Sequence, residues 1–475
     1  MGATAPTPGL EFTVSLDVRR DQQPHHDARI DALLRVEAVG IGPRDEVPAV
    51  ELAVVIALDV AAARREAAAA ALAAALRALP DGVSFTVLGG ADASGEPTLC
   101  YPLRSRWALA DTMEKRRAAF SAGRIAPAAG DRPPPGYPAW LAAARTLFAE
   151  RPLPVRHLLL ITDGSGRDPA DPTGPGGAGT GALRTELTSC EGAFTADVLA
   201  VGGGWDPAPL LAVVESLHGT AEPAPDRFGP AVTGAVRRLR RVRSPELPVV
   251  VWARGAVRAV ELTEIAPREQ RLEPEFREDD PRLTEFPTYQ WEPGDRNYRL
   301  TVHADASADP LGVLLQLATV RVGDAVAALL VRWQQPGVAV GAAAAGSGGH
   351  LLQTVNAATR MRTALIRGYA ALDPLIRDEA ERQLGLAVRL ATEIDAAWVL
   401  QDVGKVADIV DRAGGVVRVG PTVDHVNLRV GRLKTASGHP LKLPVHAAGK
   451  PVPCPHCGHL AGPGAPYCIS CGKSL

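Results

Sequence analysis

Two apolar runs that each end on an acid constrain this chain most. The first is Glu51-Leu-Ala-Val-Val-Ile-Ala-Leu-Asp59. The second is His157-Leu-Leu-Leu-Ile-Thr162-Asp163-Gly164. Runs of this length without polar alternation read as strands buried on both faces of a parallel sheet. An acid at the carboxyl end of such a strand stands where open α/β sheets form their ligand crevice. Around them the pattern alternates. Helices are predicted at 67–79, 109–120, 140–149, 183–190, 209–217 and 229–242, with further strands at 83–88 and 194–201. That alternation argues for a doubly wound sheet.

The two acid-ended runs resemble the first and fourth strands of a von Willebrand factor A (VWA) domain, and the resemblance covers residues 48–243. In that family the first strand ends in Asp-x-Ser-x-Ser and the fourth in Thr-Asp-Gly. A middle loop adds a Thr, and together they hold Mg²⁺ in a metal-ion-dependent adhesion site. Here Asp59 and Asp163 remain, but Ala61 and Ala63 stand at the two Ser positions. The loop 131–138, where the Thr is expected, reads Asp-Arg-Pro-Pro-Pro-Gly-Tyr-Pro and has no hydroxyl of that kind. Mg²⁺ requires near-octahedral oxygen ligands, so the resemblance implies a vestigial site of Asp59, Ala61, Ala63 and Asp163 at which Mg²⁺ is not expected. The residues by themselves read more plainly, with Asp59 capping the following helix and Asp163 opening the turn at Gly164. The flanking regions resemble those of bacterial, especially actinobacterial, multi-domain VWA proteins.

Outside this region the period changes. Phe12, Val14, Leu16 and Val18 alternate with polar residues, and so do Ile30, Ala32, Leu34 and Val36. A lone hairpin is not stable in water, so these strands (10–46) need a sheet from elsewhere. Segments 249–252, 257–262, 298–304, 313–322 and 326–333 supply five more strands within 247–335. The expected fold is therefore a multi-domain chain, an α/β VWA-like domain inserted in a β-sandwich. The polar stretch 272–293 is expected as a long loop of that sandwich. A linker at 336–350 leads to a helical hairpin or bundle at 351–414, with helices at 351–371, 374–394 and 396–413. Short strands (416–419 and 426–430) and a linker fill 415–451.

The tail, 452–475, carries Cys454-Pro-His-Cys457-Gly and Cys468-Ile-Ser-Cys471-Gly. Two Cys-x-x-Cys pairs, each with a trailing Gly, are expected to give the four-thiolate set of a closed, structural Zn²⁺ site, with a redox dithiol or an iron–sulfur site as the rival readings, and the segment resembles a short zinc ribbon. So few residues bury no core, so the metal must supply folding energy.

Composition narrows the function classes. The net charge of −2 provides no global field for nucleic acid or an acidic membrane. No apolar run reaches the roughly 20 residues of a membrane span, and the first twenty residues lack the pattern of a leader. Paired Cys in the tail with Cys100 and Cys190 isolated fits a reducing, cytoplasmic setting. The basic run Arg237–Arg243 reads as a helix end whose cations complement the dipole, or as an anion patch. There is no Gly-x-Ser-x-Gly, His-Glu-x-x-His or kinase set. The expectation is a non-enzymatic interaction or scaffold protein whose partners are proteins of unknown identity. The alternatives are a nucleic-acid-associated factor using the zinc ribbon, and an adhesion module that still binds Mg²⁺ weakly.

Overall fold

The computed structural model describes residues 9–24, 26–40, 51–61, 64–92, 94–122, 135–165, 181–224, 228–266, 269–277, 280–335, 347–437, 452–458, 460–461 and 473. The chain opens with β1 (Leu10–Val18), β2 (Asp21–Gln22) and β3 (Ala28–Gly40). β1 and β3 form an antiparallel hairpin with Val14 opposite Val36. Leu10, Phe12 and Val14 are buried while Glu11 between them is exposed, the period-2 pattern of a strand with one face on a core.

Next come β4 (Leu52–Asp59), α1 (Arg65–Ala78), β5 (Ser84–Ala91), β6 (Pro97–Tyr101), β7 (Ala108–Leu109), α2 (Thr112–Ala122) and α3 (Tyr137–Glu150). β8 (Val155–Thr162), α4 (Gly181–Cys190), β9 (Thr195–Val201), α5 (Pro207–Ser216), β10 (Ala221–Ala224) and α6 (Phe228–Arg241) complete the unit. The strands order β10-β9-β8-β4-β5-β6, with β7 also on β5. β10, β9, β8, β4 and β5 are parallel, and β6 and β7 run antiparallel. Every residue of β4 is buried, because helices cover both faces. α1 and α6 share one core with Ile56 and Val87, while α3, α4 and α5 share the other with Val55 and Leu160. β6 and β10 have no counterpart in the sequence reading. Pro223 sits in β10, which is an edge strand, where a missing N–H leaves no ladder bond unmade.

The chain then lays down β11 (Ser244–Glu246), β12 (Val249–Ala253), β13 (Val257–Ala266), β14 (Gln270–Leu272) and β15 (Glu275–Phe276). β16 (Leu283–Phe286), β17 (Tyr289–Trp291), β18 (Gly294–Ala304), β19 (Leu314–Val322) and β20 (Ala325–Trp333) follow. One sheet runs β1-β3-β18-β13-β14 and a second β15-β16-β12-β19-β20-β2. β3 pairs with β18, with Leu34 opposite Tyr298 and Ile30 opposite Val302. The two sheets share one core, in which the Phe12 and Trp291 rings meet edge to face at 5.3 Å. The stretch 272–293, expected as a loop, instead contributes β15, β16 and β17. Its Pro and acid content hid the buried Leu283 and Phe286, whose register is set by β12, Val249 lying opposite Phe286.

α7 (Ser347–Leu372) follows, so the helix starts inside the segment read as a linker. Its first half lies on the five-stranded sheet, where Val355 packs on Leu33 and Ile265 and Arg362 pairs with Glu269 at 2.9 Å. Its second half packs on α8 (Arg377–Glu393), which begins three residues later than the Asp373-Pro374 signal because Leu375 takes φ +56°. α9 (Ala397–Val403) ends ten residues before the predicted boundary. β21 (Asp408–Asp411) and β22 (Val416–Arg418) form a hairpin there, turned by Asp411, whose carboxylate accepts the N–H groups of Ala413 and Gly414. The predicted strand 426–430 is part of a helix, α10 (His425–Ser437), capped by Asp424, whose Oδ1 accepts the Val426 and Asn427 N–H groups. β23 (Val452–Pro453) and β24 (Leu460–Ala461) pair in the tail, and β24 lies against β20.

A buried polar network joins the α/β unit to the strands after it. Gln290 on β17, at φ +52°, donates through Nε2 to Thr195 Oγ1 and stands 3.2 Å from His157 Nδ1. His157 Nε2 lies 3.5 Å from Asp197 Oδ2, and Arg238 donates to that same oxygen at 3.1 Å. Burial alone would raise the Asp197 carboxyl. His157, Arg238 and the Thr220 N–H outweigh it and hold the group below the ordinary carboxylate range. The basic run is thus partly consumed here, Arg238 by Asp197 and Glu222, and Arg241 by Glu292.

Leu300 is fully buried on β18 between β3 and β13, so Leu300→Ala is expected to cost about 2–5 kcal/mol in urea denaturation. Because the folded-state value of Asp197 lies below its unfolded one, its stabilisation is complete above about pH 4 and fades as pH falls through the folded value. Calorimetric melting across acid pH should show a shallower decline for Asp197→Asn than for the wild-type chain, from a lower melting temperature at neutrality.

Candidate functional site

The parallel pair β4–β8 brings the two acids together at its carboxyl edge. Asp59 lies opposite Thr162, and the Asp163 N–H donates to the Asp59 carbonyl at 3.1 Å. The two side chains are 1% and 6% exposed as residues, so each must find partners inside the protein. The Thr162 hydroxyl donates to Asp59 Oδ2 at 2.6 Å. That hydroxyl oxygen also accepts the Gly164 N–H at 3.0 Å and stands 3.4 Å from the Tyr137 hydroxyl. Asp163 accepts the Ala61 N–H on Oδ2 at 3.0 Å and the Ser165 N–H on Oδ1 at 2.9 Å.

A cation stands beside these acids. Arg64, the residue before α1, places Nε 3.9 Å from Asp163 Oδ2 and keeps its side chain 45% exposed. Its guanidinium lies over Gly202, at φ +71°, where any Cβ would collide with it. Gly164 is required for a similar reason. Its φ is +81°, and a Cβ there would come within 2.5 Å of Trp205 Cα. Trp205 is fully buried and donates from Nε1 to the Gly202 carbonyl at 2.9 Å, which fixes the floor of the crevice. The rim is continued by α10. Arg429 donates to the Gly203 carbonyl, and a Cβ at Gly203 would meet Val426 Cγ2 at 2.7 Å.

Sequence reading placed Asp59, Ala61 and Asp163 at this crevice, and the structure brings them together. Ala63 and residues 131–134 lie outside the described residues. Asp59 accepts the Thr162 hydroxyl, and the residue at the N-cap of α1, Arg64, makes no side-chain cap hydrogen bond. The loop expected to hold a threonine brings Tyr137 instead. Arg64 was missed because a search for oxygen donors passes over a cation.

The tail shows one half of its cysteine set. Cys454 is buried, and its Sγ lies 3.4 Å from the donating His456 N–H. The Gly458 N–H donates to the Cys454 carbonyl at 2.9 Å, with Gly458 at φ +71°. A tight turn that aims an N–H at a sulfur fits a thiolate ligand of the four-Cys type. Cys457 is exposed beside it, while Cys468 and Cys471 lie outside the described residues.

Comparison with known proteins bears on the α/β unit that carries the crevice. The family described as von Willebrand factor type A domain matches residues 52–223. A search of the curated proteins returns no match. Among solved structures, the chain is similar to a von Willebrand factor type A protein from Catenulispora acidiphila. The TM-score is 0.76 at 20% identity, covering 93% of this chain and 99% of that one. It is also similar, at TM-score 0.48 and 11% identity, to the ArnB paralog VWA2 from Sulfolobus acidocaldarius, covering 91% of this chain and 100% of that one. The first likeness extends the shared fold well beyond the α/β unit. Residues 52–223 of this chain are therefore a von Willebrand factor type A domain.

Proposed function

We propose that this chain is a non-enzymatic, cytoplasmic interaction protein whose VWA domain docks protein partners without a metal ion. The observation that carries the reading is the internal use of both crevice acids. Asp59 is held by the Thr162 hydroxyl, and Asp163 by two backbone N–H groups with Arg64 beside it. Mg²⁺ needs close oxygen ligands in octahedral array. Ala61 offers no side-chain oxygen, the sequence has Ala at position 63, and Thr162 Oγ1 is turned into the Asp59 hydrogen bond. This donor set does not suit Mg²⁺. A guanidinium at the mouth supplies a fixed positive charge in its place. Among the described residues no helix is long and apolar enough to cross a membrane.

In the same reading the domain is inserted in a β-sandwich, which with the helices and tail presents further docking surface. The tail is a zinc ribbon in which Cys454, Cys457, Cys468 and Cys471 hold one structural Zn²⁺. Bound Zn²⁺ would cross-link the four thiolates and supply the folding energy of a segment with little core. The His456 N–H on Cys454 stabilises the thiolate.

Calorimetric titration of Mg²⁺ and Mn²⁺ into the full chain is expected to show no binding in the micromolar range. Micromolar affinity abolished by Asp59→Ala would instead restore a metal-dependent adhesion site. Metal analysis of the purified protein should find about one zinc per chain, released by Cys468→Ser. A folded, metal-free tail would defeat the ribbon.

A further inference from the structure

A cavity of about 460 Å³ opens where three parts of the chain meet, away from the crevice. β9, β10 and α6 of the VWA domain form one wall, and β13, β17 and β18 another. Lys434 and Ser437 of α10 close the third. Sites for small ligands have this size and favour such junctions. Two further observations single it out. Among the described residues four non-glycine residues have positive φ, and two of them, His218 at +55° and Gln290 at +52°, line this cavity. Backbone strain of this kind collects at ligand-binding positions. Their neighbourhood also forms an aromatic wall, since the His218 and Tyr289 rings stack at 4.2 Å and 25°.

We propose that this cavity binds a neutral, hydroxyl-rich ligand of mono- or disaccharide size. The lining charges select that class. Arg238, Arg296 and Lys434 face the cavity together with Asp197, Glu222, Glu264 and Glu292, so charges of both signs line it and neither dominates. A phosphate entering here meets the carboxylates, and an amine meets the guanidinium groups and Lys434, so either is penalised. A hydroxyl both donates and accepts. It can donate a hydrogen bond to Glu292 while accepting one from Arg238, and it brings no charge of its own. The stacked rings offer the apolar face on which the C–H side of a sugar packs. Burial first, then nearby acids, push the Tyr289 hydroxyl up to about 12, so it stays a proton donor at neutral pH. Burial likewise raises the Glu292 carboxyl against the pull of Arg241.

The test is calorimetric titration of the full chain with glucose, galactose, mannose, maltose, trehalose and sucrose, with inorganic phosphate and putrescine as charged controls. At least one sugar is expected to bind with millimolar or tighter affinity, and neither control. Tyr289→Ala should weaken that binding about tenfold through loss of the ring. Glu292→Gln, which keeps the shape and removes the charge, should weaken it severalfold, and thermal melts establish that each variant folds. If Tyr289→Ala fails to fold, Glu292→Gln decides. Silence of all six sugars at about ten millimolar, where millimolar affinity registers, overturns the proposal. So does binding of a control alone, or sugar binding that the folded variants leave unchanged.

Discussion

The pairing of β3 with β18 is the constraint on which the rest of this molecule depends. It runs in register from Gly294 opposite Ala38 to Ala304 opposite Ala28, joining residues some 260 positions apart in sequence. The chain leaves that sheet after β3, builds the VWA domain, and re-enters the sheet through β13 and β18. Both ends of the VWA domain are thereby held on one side of it, opposite the crevice at the carboxyl edge of β4 and β8. That anchorage lets β17 press Gln290 against His157 and Thr195. It also sets Arg296 across from Arg238, so that a cavity is left between them. Such long-range pairing closes a large loop, but the entropy of closure grows only as the logarithm of loop length. Burial of β1, β3, β18 and β19 in one core outweighs it.

At the crevice the physical question is how two buried carboxylates are tolerated. Isolated ionised groups in such a place are costly unless paired or hydrogen-bonded. Here a hydroxyl, two N–H groups and a guanidinium perform that service. The positions around them, Gly164 and Gly202, are glycines because both take positive φ, and at Gly164 the Trp205 backbone also comes too close for a side chain. The arrangement is thus specified by packing as well as by charge. Seating Arg64 over a glycine gives the acids a covalently attached counter-charge.

Much of the fold was legible in the sequence where burial is simple. β4, β8 and β9 are covered on both faces, and their unbroken apolar runs announced them. The one-faced strands β1 and β3 announced themselves by alternation. The failures share a cause. α10 was read as a strand because Val426, Leu428 and Val430 repeat at period 2. Yet the helix lies between two bodies, so its apolar residues are needed on more than one side. Leu428 faces the helical core, while Val430 and Leu433 enter the core of the VWA domain. A single hydrophobic stripe is the signal of a helix with one partner, and a helix with two partners blurs it. β10 and β16 were missed because Pro and acids are permitted at edges and in short strands. Asp59 and Asp163 were found by the motif, but Arg64 is visible only once α1 is seen to start beside Asp163.

The position of α10 ties the crevice to the rest of the chain. Gly431 lets the helix approach Tyr369 of α7, since a Cβ there would fall 2.7 Å from the ring. Arg432 and Lys434 add contacts to Asp373 and Asp402. On its other side the same helix holds the Gly203 carbonyl through Arg429, one residue from the glycine under Arg64. α7 in turn runs about 39 Å at 1.5 Å per residue and lies on the five-stranded sheet through Val355 and Arg362. The crevice, the helices and the sheet are therefore linked by contiguous packed elements. Contiguity alone does not make a switch, because coupling needs an element with two arrangements that both sites bias. What the packing does establish is a continuous set of contacts across α10. With α10 packed on two sides, the Gly202–Gly203 turn under Arg64 is held by the Arg429 hydrogen bond and the Val426 contact, and side chains ordered by packing in this way lose no further freedom when a neighbour is added.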